Sequence, residues 1–238
     1  MEAWEDEGIV LAVRAHGEGH ALASVLARAH GHWRGHVRGG TGKAGRGIWQ
    51  QGNRVSLRWT ARLADQLGHF AAELTDAAFA RAMDDPGALA LLSAACAVAE
   101  GALPEREAHP LAYAGLAALL ERITEGDALA PDYVRWEVAV LAELGYGLDL
   151  SSCAVTGVVE GLAFVSPRSG RAVSAEGAGA WKERLLALPR FLLGNAPVGQ
   201  GDVAAGLRLT AHFLGRDVFG LHHLGLPPAR LRLADRFA

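Results

Sequence analysis

The stretch "VRGGTGKAGRG", Val37 to Gly47, places five glycines and three cations, Arg38, Lys43 and Arg46, in one short segment. Glycine-rich segments with a lysine can cradle phosphates, so two loop chemistries are tested first. A P-loop needs G-x-x-x-x-G-K-[ST], whose backbone amides wrap the phosphates and whose hydroxyl holds magnesium. With Gly42-Lys43 as the GK pair, Val37 falls where the first glycine must be and Ala44 where the hydroxyl must be. Gly40-x-Gly42-x-x-Gly45 has the letters of the dinucleotide fingerprint, which works only between a strand and a helix whose N-terminus faces the pyrophosphate. Arg46 to Asn53 carries no helical apolar period, so the segment reads as a flexible basic loop between strands.

These cations have neighbours. Between Arg14 and Arg62 there are nine lysines or arginines and one acid, Glu18, while the whole chain carries a net −3. A basic segment on an otherwise acidic protein points to a local anionic partner. Two segments alternate as half-buried strands do. In His32 to Arg38, Trp33, Gly35 and Val37 fall on one side and Arg34, His36 and Arg38 on the other; in Arg54 to Leu63, Val55, Leu57, Trp59, Ala61 and Leu63 oppose Arg54, Ser56, Arg58, Thr60 and Arg62. The polar faces are almost free of carboxylates and suit a phosphate backbone, each cation replacing a counterion. The candidate DNA-binding residues are Arg14, Arg34, Arg38, Lys43, Arg46, Arg54, Arg58 and Arg62. Trp33 and Trp59 lie on the core phase, whereas Trp49, on the loop, is the candidate for stacking on bases.

Other chemistries fare worse. His16, His20, His30, His32 and His36 lie close in sequence, but on strands His30, His32 and His36 share the exposed phase with Arg34 and Arg38. Surrounding cations oppose a metal ion, so these imidazoles read as extra phosphate donors at lowered pH. Of the two cysteines, Cys96 sits in an apolar helical run and reads as core. Cys153-Ala154-Val155-Thr156-Gly157 looks like a zinc knuckle whose second thiolate is replaced, and one thiolate with a threonine cannot hold zinc. No Ser-His-Asp pattern, paired-carboxylate motif or HExxH occurs, and a two-metal nuclease needs acids that this basic segment lacks. No catalytic residue, metal ligand or cofactor is assigned.

The elements that must position the cations come in two blocks. Short strands are expected at Gly8–Val13, Ala21–Leu26, His32–Arg38, Arg54–Leu63 and His69–Leu74, joined by glycine-rich turns, which suits a small closed or partly open barrel. Beyond residue 78 the period becomes helical. Asp85-Pro86 starts a helix that runs towards Gly101, and others are expected at Leu111–Ile123, Tyr133–Leu144, Ala180–Leu193 and Val203–Leu214. Residues 148–177 read as an irregular insert. The expected domains are therefore 1–78 and 79–238. The longest apolar run, Ala88 to Ala99, is too short to span a bilayer, and the acidic N-terminus is unlike a signal peptide, so a cytoplasmic protein without membrane contact is expected.

The segment "RWEVAVLAELGYGLDLSSC", Arg135 to Cys153, resembles the motif that bacterial RecO recombination-mediator proteins carry where a helix leads into their zinc region. Gly8-Ile9-Val10-Leu11 and the Arg14-Ala15-His16-Gly17-Glu18 turn resemble the family's first strand and turn, and Leu226-Pro227-Pro228-Ala229-Arg230 is similar to the tail of some members. The resemblance implies an α+β protein: a five-stranded OB-fold barrel followed by a helical domain with a small irregular insert. It also implies a non-enzymatic DNA-repair function: binding single- and double-stranded DNA, annealing complementary strands, and working with RecR and single-strand-binding protein to load RecA. The helical domain would hold the protein partners, the acidic C-terminal tail of single-strand-binding protein among them, with Arg230, Arg232 and Arg236 as a separate basic patch. Zinc-bearing members have two CxxC pairs, which this chain lacks. The alternative is a protein-interaction scaffold whose DNA contact is secondary.

Overall fold

The structure is a computed structural model that describes residues 2–63, 65–194 and 196–238, with the side chain of Ala44 set aside. It forms two compact units that divide between Leu129 and Ala130. The first unit extends past residue 78, where the sequence period changes. Its strands are β1 (Glu2–Ala15), β2 (Ala21–Ala27), β3 (Gly31–Val37), β4 (Arg54–Ala61) and β5 (His69–Asp76), and its helices α1 (Lys43–Ile48), α2 (Ala78–Ala82), α3 (Pro86–Ala102) and α4 (Pro110–Glu121). The long helix α3 packs on β1 and β2, with α2 and α4 against α3, so these helices belong with the barrel rather than with the rest of the chain. Asp85 caps α3 through the amides of Gly87 and Ala88, as Asp-Pro at a helix start is built to do.

The five strands close into a barrel in the order β1-β2-β3-β5-β4, the expected OB-fold arrangement. Strand β1 is shared. Glu2 to Ile9 pairs with β4, Gly8 to Ala15 pairs with β2, and a bulge between Val10 and Ala12 turns the strand from one partner to the other. The strand begins well before the expected Gly8, because the acidic N-terminal residues alternate with Trp4 against β4. Inward residues make one core: Val10, Val25, Val37, Val55, Leu57, Trp59 and Phe70, with Trp4 and Trp33 packed at its edge. Two glycines are fixed by close approach. Gly35 lies under the Phe70 ring, where a Cβ would come within 2.7 Å, and Gly31, at φ +75°, faces the Glu107 carbonyl at 1.7 Å from such an atom.

The second unit contains α5 (Ala130–Glu143), β6 (Leu162–Val165), β7 (Ala172–Ser174), α6 (Ala175–Ala178), β8 (Leu186–Ala187), α7 (Asp202–Phe213) and α8 (Pro228–Asp235). The insert is partly ordered as a small sheet, β7-β6-β8. The helix expected at Ala180–Leu193 is instead two 3-10 turns, Gly179–Arg184 and Arg190–Leu193, on either side of β8. Leu186 and Ala187 pair with Val165 and Phe164, and Pro189, which has no amide proton, follows after Leu188. Helix α8 was not expected at all.

What holds α8 is a buried ion pair. Arg230 and Glu137 are both fully inaccessible, and the Arg230 Nη2 donates to Glu137 Oε2 at 3.0 Å and to the Leu207 carbonyl at 2.8 Å. Glu137 also accepts from the Tyr133 hydroxyl at 2.7 Å and from the Thr210 hydroxyl, so its carboxylate is satisfied by α5, α7 and α8 together. Arg230 is therefore not part of a surface patch with Arg232 and Arg236: the helix turns it inward. Burial alone opposes its charge, and Glu137 then holds the guanidinium pKa above the usual range. Removing one partner leaves an unpaired buried charge, which costs about 3–5 kcal/mol. Arg230→Ala should lose about that much in urea unfolding, whereas Arg232→Ala, on the exposed side of α8, should stay within about 0.5 kcal/mol of the parent. The combined Glu137→Leu and Arg230→Met variant should recover more than half of the loss.

Candidate nucleic-acid interface

One seam of the barrel is short. β3 and β5 run parallel and pair only at His36 with His69 and Val37 with Phe70. Beside it lie the β1–β2 turn, the β4–β5 turn and α1. A groove of about 640 Å³ runs along it, lined by Arg38, Arg58, Thr60 and His69 over Ile48, Trp49 and Phe70. A second groove of about 490 Å³ is lined by His36, Thr60, Arg62, Gln66 and His69. They share Thr60 and His69 and form one surface. OB folds as a class bind their ligands on the strand 2–3 face and the loops between strands 1–2 and 4–5; β3 and both of those turns border this seam.

Helix α1 occupies the middle of the glycine-rich segment that read as a flexible loop. It is a correction with a local cause. Six residues with two glycines give no amphipathic period; tertiary contacts hold the helix instead. Trp49, directly after it, is only 6% exposed and packs with Phe70 at a centroid distance of 6.1 Å. Asn53 is buried, donates to the Gly47 and Ile48 carbonyls at the helix end, and accepts from the Phe79 amide. Trp49 is thus a core anchor and is not available for stacking on bases. Lys43 and Arg46 point outward, Arg46 with its Nε on the Thr41 carbonyl at 2.7 Å.

The eight candidate cations divide into two sets. Arg14 pairs with Glu100 at 2.8 Å, Arg34 with Glu105 at 3.2 Å, Arg54 with Glu121 at 2.8 Å and Arg58 with Glu5 at 3.8 Å. The polar faces of the strands are not free of carboxylates: α3, the segment after it, α4 and the first half of β1 bring acids from outside the basic segment. Arg38, Lys43, Arg46 and Arg62 have no carboxylate partner among the described residues. Arg38 and Arg62 each line a groove, and α1 carries the other two beside them.

Two histidines are redirected in the same way. His32 is buried, its ring bonded to Ser24 Oγ at 2.7 Å and to the Leu103 carbonyl at 3.1 Å, because the chain after α3 runs alongside β3 and covers it. Burial lowers its pKa, so it stays neutral in place. His30 stacks on Trp4 at 4.2 Å and meets Asp6 at 2.8 Å. His16 and His36 stay at the seam and are joined by His69, with ring centroids 5.2 and 5.5 Å apart. His69 comes from a distant strand, and sequence proximity gave no sign of it. Arg106 was also missed. It sits at φ +66°, places its guanidinium over Trp33 at 4.8 Å and donates to the Asp65 carbonyl in the β4–β5 turn at 3.0 Å.

The insert in the second unit folds around its cysteine. Cys153 is 2% exposed, and its Sγ accepts from the Ser174 amide at 3.2 Å, the Ser174 hydroxyl at 3.4 Å and the Thr156 amide at 3.4 Å. Burial raises the thiol, but the bonds from Ser174 and Thr156 outweigh it and bring the pKa to about 6. These donors lower the energy of the thiolate. Cys96 is wholly buried, and burial pushes its thiol up to about 12, in keeping with a core role. No group of three His, Cys, Asp or Glu side chains among the described residues is placed to hold a metal. No described helix is long and apolar enough to cross a membrane.

Comparison with known families matches residues 1–78 to Recombination protein O N terminal and residues 83–225 to Recombination protein O C terminal. DNA repair protein RecO of Granulibacter bethesdensis is 56% identical over 238 residues, covering 99% of this chain and 95% of its own. DNA repair protein RecO of Acidiphilium cryptum is 55% identical, covering 98% and 94%, and that of Caulobacter vibrioides is 46% identical, covering 99% and 97%. The family models run in order through the barrel and the helices as far as residue 225, and the relatives align over 98–99% of the chain; the chain belongs to the RecO family of recombination proteins.

Proposed function

We propose that this protein is a non-enzymatic DNA-binding recombination mediator in DNA repair, working in the cytoplasm. Residues 1–78 form its nucleic-acid-binding domain; residues 79–238 hold its protein partners. The observation that carries the reading is the cluster of Arg38, Lys43, Arg46 and Arg62, cations without carboxylate partners among the described residues, around one pair of grooves on the ligand face of an OB barrel. Arg14, Arg34, Arg54 and Arg58 form a second tier. Exposed ion pairs are worth about 0–1 kcal/mol, so exchanging a carboxylate for a phosphate costs these arginines little. The protein binds single- and double-stranded DNA, screens the repulsion between complementary strands and anneals them. With RecR it opens single-strand-binding-protein-coated DNA to RecA, docking on the acidic C-terminal tail of single-strand-binding protein. Those partners rest on the family relationship. A scaffold with secondary DNA contact is the second reading, supported by the exposed Trp181, Leu221 and Leu224 in the second unit.

Titration with a single-stranded oligonucleotide at several salt concentrations distinguishes the two. Four to six neutralised phosphates give a log–log slope of roughly −3 to −4. Replacing Arg38, Lys43 and Arg62 together by Ala should weaken all sequences alike and flatten the slope by about 2, since phosphate contacts carry no base information. Affinity indifferent to salt, or weakened for one sequence only, contradicts the electrostatic reading.

Annealing needs only that strand repulsion be screened while bases stay free to pair. Complementary strands should therefore anneal faster with the protein present and no ATP, and no ATPase or nuclease activity should be detected. Annealing that requires ATP hydrolysis and is abolished with it by Lys43→Ala would show that the glycine-rich segment is a nucleotide site after all.

A further inference from the structure

The sequence suggests imidazoles as extra phosphate donors at lowered pH, and the barrel seam gathers a different set of them from the one that sequence proximity gave. His16 and His20 come from the β1–β2 turn, His36 from β3 and His69 from the start of β5; with Arg38 they line a recess of about 220 Å³. His36 sits in the middle, within 5.2 Å of His16 and 5.5 Å of His69 between ring centroids. Burial and then the charges of His16, His69 and His20 lower its pKa, so it resists protonation in the free protein. No carboxylate is among the charges acting on it, although Glu18 and Asp65 lie in the two flanking turns. From the β4–β5 turn, Arg62 lines the adjoining groove with His36 and His69.

In the free recess, burial and the neighbouring imidazoles both oppose a charge on His36. An anion in the recess reverses that balance, because every imidazolium then gains a partner. Among the described residues there is neither a carboxylate among the charges acting on His36 nor a three-ligand set for a metal, so a bound anion is the group whose charge would balance an imidazolium there.

We propose that the recess lined by His16, His20, His36, His69 and Arg38 is a proton-linked phosphate subsite, which takes one phosphodiester of a bound DNA strand and takes up protons onto its imidazoles as it does so. This deepens the DNA-binding reading and rests on it. The sign follows from linkage. His36 resists protonation in the free recess and an anion bound there favours its imidazolium, so affinity rises as pH falls through the imidazole range.

The test uses the full chain and an oligothymidylate of about 25 nucleotides, whose bases do not titrate between about pH 8 and about pH 6, at constant ionic strength. Binding should tighten on the order of tenfold from the higher to the lower pH, and the salt slope should steepen by about 0.7 for the added phosphate contact. In the His36→Gln/His69→Gln double variant, the ratio of affinities at the two pH values should fall to about 1. His222→Gln, an exposed position in the second unit, should keep the gain. Circular dichroism at both pH values reads whether the double variant is folded; if it is not, His69→Gln alone carries the same comparison. Equal affinity at the two pH values, a double variant that keeps the gain, or a gain that depends on zinc and disappears with EDTA each overturns the proposal and leaves DNA binding intact. No binding at either pH overturns the DNA-binding reading, and this proposal with it.

Discussion

Two residue pairs between β3 and β5, His36 with His69 and Val37 with Phe70, close the barrel. The proposed DNA contacts of the first unit are arranged around that short parallel link. The other four junctions are long antiparallel ladders that bury their inward faces, with Trp59, Val55 and Leu57 on β4 meeting Val25 and Phe70 in one core. Because the β3–β5 link is brief, the chain leaves it at once on both sides: into the segment carrying Arg38 and α1, and from the turn carrying Arg62 and Gln66. A longer seam would fill the grooves with backbone. Trp49 and Asn53 keep the exit in place by anchoring α1 from below, so the cations stand on a supported edge rather than on a free loop.

Charge is distributed differently in space than along the chain. The sequence between Arg14 and Arg62 is strongly basic, yet five of its arginines meet acids supplied by Glu5, Glu7, Glu100, Glu105 and Glu121. The remaining cations, Arg38, Lys43, Arg46 and Arg62, gather at the seam, two of them on α1. The folded protein thereby narrows a broad basic stretch to a localised site. The second unit uses charge for the opposite purpose. Glu137 and Arg230 are buried, mutually neutralised and bonded by Tyr133 and Thr210, which fixes the last helix instead of attracting a ligand.

The alternation in β3 and β4 was legible because one face of each strand is core and the other polar, and Asp85-Pro86 was legible because a helix start needs a cap and tolerates a proline. What could not be read were features set by distant residues. Helix α1 has too few residues and too many glycines for a period, and exists because Trp49 is buried beneath the barrel. His32 lies on the polar phase of β3 and is nevertheless buried, since the chain after α3 covers it. At Ala180–Leu193 the apolar count suggested a helix, but strand pairing at Leu186 and Ala187 took precedence. The family motif around Glu137 was recognisable as a string; its role, holding Arg230 of the tail, appears only where the two segments meet. His69 joins His36 by strand pairing and by no local pattern.

The central claim is that DNA lies on the seam of the barrel. Hydrogen exchange of the full chain with and without a single-stranded oligonucleotide tests it without any substitution. Slowed exchange should map to the β1–β2 turn, residues 37–50, the end of β4, the β4–β5 turn and the start of β5, with α5 and α8 unchanged. Protection confined to residues 130–238, with the seam exchanging as freely as in the unbound protein, would contradict the account.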